Sequence, residues 1–371
     1  MPNIDMGALV VQVLWAAFSL SLLFGVIAQR TNFCTMGAVA DIVNFDDWSR
    51  MRMWALAVGV AMLGFNAMVA AGWIDASKTI YASPRLTWLS AVVGGLMFGS
   101  GMVLASGCGS KTLVRIGGGN LKSVVVFVVL GLVAFATLKG IIGVARVATV
   151  DRLAIELAGG QDLPALAARA SGLGKEQAAL VLGALLGGGL VTWALHKSEG
   201  RNAEVLLGGI GIGAVITAMW WISGCLGHVA EDPNTLQEAF VATNSQRMES
   251  LSFVAPIAYT IDWLLFFSDK SKFLTIGIVS TAGVVLGSAL SALIGGSFRW
   301  EGFAGAEDTA NHLVGATLMG VGGVTALGCT VGQGLSGVST LAIGSFIALA
   351  SIIAGAVLGL HYQMWRVEHS E

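Results

Sequence analysis

Apolar windows of about 20 residues recur along this chain almost from end to end, and a helix needs about that length to cross a bilayer. Backbone N–H and C=O groups in hydrocarbon find no water, so only helices and closed barrels can span it. Windows of this length read as helices. Composition agrees: 55% of the 371 residues are hydrophobic and 11% charged, against about 25% charged in soluble domains. The sequence predicts an all-α polytopic membrane protein, a single membrane domain over residues 1–371 embedded in the lipid bilayer. Spans are expected near 7–28, 53–74, 86–106, 122–145, 177–197, 204–222, 274–295, 313–328 and 339–360, about nine in all. The apolar piece 252–267 is too short to cross and reads as re-entrant or interfacial. The polar connection 146–176 is expected to hold a loop and a short surface helix. The first run has no basic segment before it and is long for a signal peptide, so it reads as the first span.

Several functions are disfavoured at this level. A net charge of −2 gives no electrostatic case for nucleic acid. There is no GxxxxGK[ST] nucleotide loop. The four cysteines, Cys34, Cys108, Cys225 and Cys329, form no CxxC pair, which removes the usual zinc and dithiol signatures. No cofactor, metal or catalytic residue is expected, and the chain reads as a non-enzyme. With the N-terminus outside, ten Lys/Arg fall inside and nine outside, a balance that sets no orientation.

The cysteines expose an internal repeat. GSGMVLASGC (99–108) aligns with GVGGVTALGC (320–329) at an offset of 221. Gly99/Gly320, Gly101/Gly322, Val103/Val324, Ala105/Ala326, Gly107/Gly328 and Cys108/Cys329 are identical. NFCTMGAVAD (32–41) and SGCLGHVAED (223–232) share less, a Cys and an Asp seven residues later, at an offset of 191. The expected plan is a first repeat over 7–145, a connecting loop and linker helix over 146–203, and a second repeat over 204–360. An odd number of crossings through the linker turns the second repeat over. Transporters often use such inverted repeats, with the substrate path at the repeat interface between interrupted helices.

The Cys segments are the interruptions. GCGSKTLVRIGGG and GCTVGQGLSG are too rich in Gly and polar residues for a lipid-facing helix. At membrane depth, irregular chain survives only against protein or a water-filled cavity. Broken helix ends present free N–H groups, which favour anions, although turns outside the bilayer would look similar. A single Cys is most often a small buried hydrophobe; four at matched loop positions carry more weight. A neutral thiol is a weak donor, suited to a site that must bind and release, and it matches a large sulfur atom better than a hard oxygen. Thiolates also favour soft metals such as Cu(I). A soft-metal permease or a membrane thiol oxidoreductase therefore stay open at this point.

Other polar residues carry two readings each. Arg30 and Asn32 flank Cys34 and could attract an anion or simply reach for the surface; Lys111 and Arg115, after Cys108, face the same choice. Gly107 and Gly328 allow close approach of backbone to a ligand. Gln333 and Ser336 could donate to a ligand oxygen or satisfy loop backbone. Asn66 reads as a helix–helix hydrogen bond, His228 as a helix–loop bond, and Asp41 and Asp232 as helix caps.

FGVIAQRTNFCTMGAVAD, LASGCGSKTLVRIGGGNLKS and TALGCTVGQGLSGVSTLAIGS resemble the YeeE/YedE family of multi-pass proteins of the bacterial inner membrane, and the likeness in helix pattern extends over essentially the whole chain. The resemblance implies an hourglass-like helical fold whose Cys loops meet at a constriction. It implies uptake of thiosulfate or a similar small sulfur anion, passed along thiols by transient S–H to sulfur hydrogen bonds. The family's essential cysteines would fall on Cys34, Cys108 and Cys329, with Cys225 at the fourth, pseudo-symmetric position. Some relatives handle other sulfur or selenium substrates, and some work with a small soluble sulfur carrier of the TusA type.

Overall fold

A computed structural model describes residues 5–157, 159–172, 174–233 and 235–369. The helices of the first half are α1 (Met6–Arg30), α2 (Thr35–Phe45), α3 (Ser49–Ala70), α4 (Trp88–Leu104), α5 (Gly109–Gly117), α6 (Leu121–Lys139) and α7 (Ile141–Ala148). Then come α8 (Leu163–Ser171), α9 (Lys175–His196), α10 (Ala203–Trp221), α11 (Ala255–Leu265), α12 (Ile276–Ile294), α13 (Ala306–Thr325) and α14 (Ile343–Glu368). Strand structure among the described residues is limited to two short antiparallel pairs. The chain is an all-α polytopic membrane protein.

Among the described residues, eight helical stretches are long and apolar enough to cross a membrane, and they contain α1, α3, α4, α6, α9, α10, α12 and α14. The ninth expected segment, 313–328, is helical too, as the 20-residue α13. It falls outside that set because Glu307, Asp308, Asn311 and His312 in its first turns keep its mean hydropathy low. Instead of facing lipid alone, it packs between α4 and α6. The short piece near 252–267 is the 11-residue α11, about 16 Å long at ~1.5 Å per residue, half a hydrocarbon core of ~30 Å. The polar connection holds the expected short helix as α8, with its side-chain cap on Asp162; Leu173, within that connection, lies outside the described residues.

Glycine sets how the helices meet. α4 and α13 cross antiparallel with their backbones in near contact. A methyl group built on Gly94 would lie 2.7 Å from the Gly322 oxygen and 2.5 Å from the Ala326 nitrogen. One built on Gly315 would lie 2.6 Å from the Gly101 oxygen and 2.6 Å from the Ala105 nitrogen. Shifted by 221 positions, Gly94 falls on Gly315, Gly101 on Gly322 and Ala105 on Ala326. Each contact at this crossing thus has its counterpart in the other half. The flanking pairs correspond as well: α1 packs parallel on α12 and α3 parallel on α10, while α14 covers α4 and α6 covers α13. Helix α9 lies outside this correspondence, against α3.

Contacts between helix ends separate the two faces. Asn120–Glu301, Arg366–Glu307 and Arg52 to the Trp193 carbonyl join elements on the face that carries the C-terminus. On the N-terminal face, Leu163 N–H donates to the Leu341 carbonyl and Thr79 pairs with Met248. There Glu238 also bonds Lys78, and His228 Nε2 at 2.6 Å. Lys78, with His228 second, holds the Glu238 carboxyl below its ordinary value. A depressed carboxylate contributes stability that is present above its unfolded pKa and lost as pH falls through the folded one. Amide-exchange protection around 228–240, taken relative to the intrinsic rate at each pH, is therefore expected to fall below about pH 4, a reference value for an unperturbed Glu. Glu238→Gln is expected to exchange faster at neutral pH and to lose the acid-dependent change; equal pH profiles for parent and variant would refute the coupling.

Candidate functional site

Three helices are broken where cysteines sit. α1 gives way to α2 at Cys34, and α4 to α5 at Cys108. After α13, the chain turns at Cys329 into a π-helical turn, Gly332–Gly337.

The three breaks share one backbone device. Two residues before each Cys the chain is left-handed: Asn32 at φ 49°, Ser106 at 56° and Leu327 at 59°. The residue after it returns its N–H five residues back, Phe33 to Ala28, Gly107 to Met102 and Gly328 to Gly323, at 3.2, 2.8 and 2.8 Å. This is the Schellman closure of a helix, which usually uses glycine at the left-handed residue. Side chains there cost about 1–2 kcal/mol, and such strain gathers at functional sites. The result is a helix end, a sharp turn, and a Cys at the start of the next helical piece. Gly37 N–H donates to Cys34 Sγ at 3.4 Å, and Gly332 N–H to Cys329 Sγ at 3.4 Å.

These turns bring three thiols together. Cys34 and Cys108 are close neighbours that influence each other electrostatically. Cys108 also meets Ser110 Oγ at 3.3 Å. Cys329 and its neighbour Thr330 approach Cys108 from the other half. All four cysteines are free thiols. Cys34, Cys108 and Cys329 are 7%, 1% and 0% exposed, so the cluster closes the centre of the protein. Tyr81 pins the last turn, its hydroxyl donating to the Gly332 carbonyl at 2.6 Å.

Cys225 stands apart. It lies half-buried in a π-helical turn, Ile222–Leu226, which continues α10 without a left-handed residue, and its thiol donates to the Trp73 carbonyl at 3.4 Å. A cavity of about 480 Å³ beside it is lined by Trp73, Lys78, Lys175, Gly224 and His228. The place corresponding to Cys34 in the second half is held by Phe253 and Val254. α11 follows them as α2 follows Cys34, and the Phe253 N–H faces Cys329 Sγ.

Toward the C-terminal face the cluster is flanked by cations. Arg30 and Asn32 are exposed, and Lys111 Nζ reaches Asn32 Oδ1 at 3.5 Å. Gly107 is buried beneath the Lys111 and Arg115 side chains. Arg50 lies against Gly37 and pairs with Asp41 at 2.7 Å; Asp41 thus sits within α2 as an ion-pair partner, where a cap was expected. A patch with this excess of positive charge concentrates anions. On the other face a cavity of about 290 Å³ reaches Gly328, next to Cys329, and is lined by Arg146, Asn244, Glu249, Ser252, Tyr259 and Ser280 among others.

Other expected ligands are committed to structure. The Gln333 side-chain amide nitrogen donates to the Ala326 carbonyl at 2.5 Å, which ties the Cys329 turn to the end of α13. Ser336 Oγ donates to the Leu251 carbonyl at 2.7 Å. Asn66 bonds the Ser339 carbonyl at 3.0 Å, the helix-packing role expected of it. Asp232 closes a turn by accepting from Thr235 N–H at 3.3 Å. Sequence reasoning missed Arg50, Tyr81, Phe253 and Thr330. Thr330 carried a signal, its place beside Cys329; Tyr81 and Phe253 carried none, because only the fold brings them to the cluster.

Residues 30–358 match the family model described as Sulphur transport. The chain belongs to the sulphur transport family. That span starts at Arg30 of the cationic patch and takes in all three Cys breaks, which bears out the YeeE/YedE resemblance. The chain is 25% identical over 361 residues to the thiosulfate transporter TsuA of Spirochaeta thermophila, covering 92% of this chain and 97% of that protein. It is 24% identical over 337 residues to the thiosulfate transporter TsuA of Escherichia coli K12, covering 90% of each. As a member of this family with eight apolar spans, it is a multi-pass membrane protein of sulfur transport.

Proposed function

We propose that this protein takes up thiosulfate, or a small anion of the same sulfur chemistry, across a bacterial inner membrane, and is not an enzyme. The observation that carries this reading is the convergence of three buried thiols, each on the same left-handed turn, beside a cluster of cationic side chains. Arg30, Arg50, Lys111 and Arg115 gather the anion, and Cys34 and Cys108 receive it. Cys329 accepts it from Cys108 and releases it toward the cavity at Gly328. A neutral thiol donates weakly, so each contact holds the terminal sulfur briefly, as conduction through successive sites requires. The two halves, 7–145 and 204–360, act as inverted repeats related about the α4–α13 crossing, with the path at their interface.

The test is growth on thiosulfate as sole sulfur source by a bacterium lacking its own sulfate and thiosulfate importers. Expression of this protein is expected to restore growth. Failure of a correctly inserted protein to do so would sink the thiosulfate reading. Changed sensitivity to copper in the same strain would then turn attention to a soft-metal substrate.

A further inference from the structure

Thr330 follows Cys329 directly, and its side chain is 0% exposed. Its hydroxyl lies against the Cys108 thiol. Yet Thr330 Oγ1 has no well-directed hydrogen bond to any protein group. Neighbouring hydroxyls in the same segment are all spoken for. Ser336 Oγ donates to the Leu251 carbonyl at 2.7 Å, Ser339 Oγ to Ser336 at 2.6 Å and Thr340 Oγ1 to Gly337 at 2.7 Å. At the end of α13, Thr325 Oγ1 donates to Val321 at 2.7 Å.

A buried hydroxyl without a partner destabilises the fold that holds it. Valine has the same shape and no such debt, so packing gives no reason for threonine here. The unused donor sits where Cys108 and Cys329 approach each other, between the two halves of the chain. A thiosulfate ion has two chemically different ends, a soft terminal sulfur and three hard oxygens. Thiols suit the first. The cluster has few strong donors for the second, and a threonine hydroxyl is one.

We infer that Thr330 is a specificity-determining residue of the path, its hydroxyl donating to an oxygen of the sulfur oxyanion while Cys108 and Cys329 face its terminal sulfur. This rests on the thiol path proposed above and adds the second half of the recognition. A sulfide-like ion lacks the oxygen to accept this bond, and sulfate lacks the soft end that the thiols meet. Thr330 thereby selects for anions that carry both.

The experiment is uptake of radiolabelled thiosulfate into proteoliposomes holding the full-length protein, with parent, Thr330→Val and Thr330→Ser compared, alongside thermal unfolding of each without substrate. Thr330→Val is expected to raise the half-saturating concentration by about tenfold or more, while melting at or above the parent temperature, since an unmet hydroxyl is gone. Thr330→Ser keeps the donor and is expected to stay within about twofold of the parent. Parental half-saturation in Thr330→Val overturns the inference. So does a loss of uptake in both variants with lowered melting temperatures, because that is a packing role. Absence of uptake by the parent itself overturns the thiosulfate reading, and this inference with it; parental uptake left untouched in Thr330→Val overturns the inference alone.

Discussion

Cys108→Ala is expected to lower thiosulfate uptake by at least about 100-fold, the scale of losing a contact worth ~3 kcal/mol. Cys108 is the thiol that meets both others: Cys34 on the side of the cationic patch and the Cys329–Thr330 segment from the opposite half. Its removal interrupts the series at the middle, where no water can substitute in a site 1% exposed. Cys34→Ala and Cys329→Ala are expected to follow it. Cys225→Ala is the internal control: its thiol bonds the Trp73 carbonyl away from the cluster, and uptake is expected to stay within about twofold. Proteoliposome uptake at matched protein amounts measures all four. Full activity in a folded Cys108→Ala protein would discard the thiol path while leaving a transporter. Cys108→Ser refines the result, because a hydroxyl is a better donor but a poor match for sulfur. Activity in the serine form would mean that hydrogen bonding alone suffices.

The second large effect concerns the crossing at the centre of the fold. Gly101→Val and Gly322→Val are each expected to destabilise the protein by about 1–3 kcal/mol or more, the range for overpacking a tight interface. The first methyl group would meet the Gly315 oxygen at 2.7 Å and the second the Phe98 nitrogen at 2.5 Å. Both obstacles are backbone, which cannot rotate aside. Because the two sites correspond across the crossing, their losses are expected to be similar. Gly189→Ala on α9 has nothing within 4 Å of the added methyl and is expected to be neutral or to gain up to about 1 kcal/mol of helix propensity. Thermal unfolding in detergent compares the three. Melting of both valine variants at the parent temperature would refute the close crossing.

Much of this architecture was legible in the residues. Apolar windows located the spans, since length and hydropathy decide whether a helix can live in lipid. Pairing Cys108 with Cys329 anticipated the matched turns, because small residues at Gly101 and Gly322 and the turn at Gly107 and Gly328 recur together. The polar turn at Glu307 and Asp308 made α13 look shorter than it is, as its shelter between α4 and α6 is a tertiary fact. The left-handed residues were invisible: Asn32, Ser106 and Leu327 are unrelated in type, and none is the glycine that normally marks such a position. Cys225 looked equivalent to Cys34 because both precede an Asp by seven residues. In space, residues inserted after Cys225 leave Phe253 and Val254 at the start of α11 and next to Cys329.

The burial of the three thiols has a consequence for the cell that makes the protein. A bacterium stores its energy as a proton gradient, and any continuous file of water through the membrane would short-circuit it. Here the centre of the protein holds sulfur atoms, weak hydrogen-bonding partners, packed to 7%, 1% and 0% exposure. If the proposed thiol path holds, such a seal would interrupt proton hopping while yielding to an ion that brings its own sulfur. On the proposed path, the same atoms would serve both as passage for the cargo and as insulation against protons.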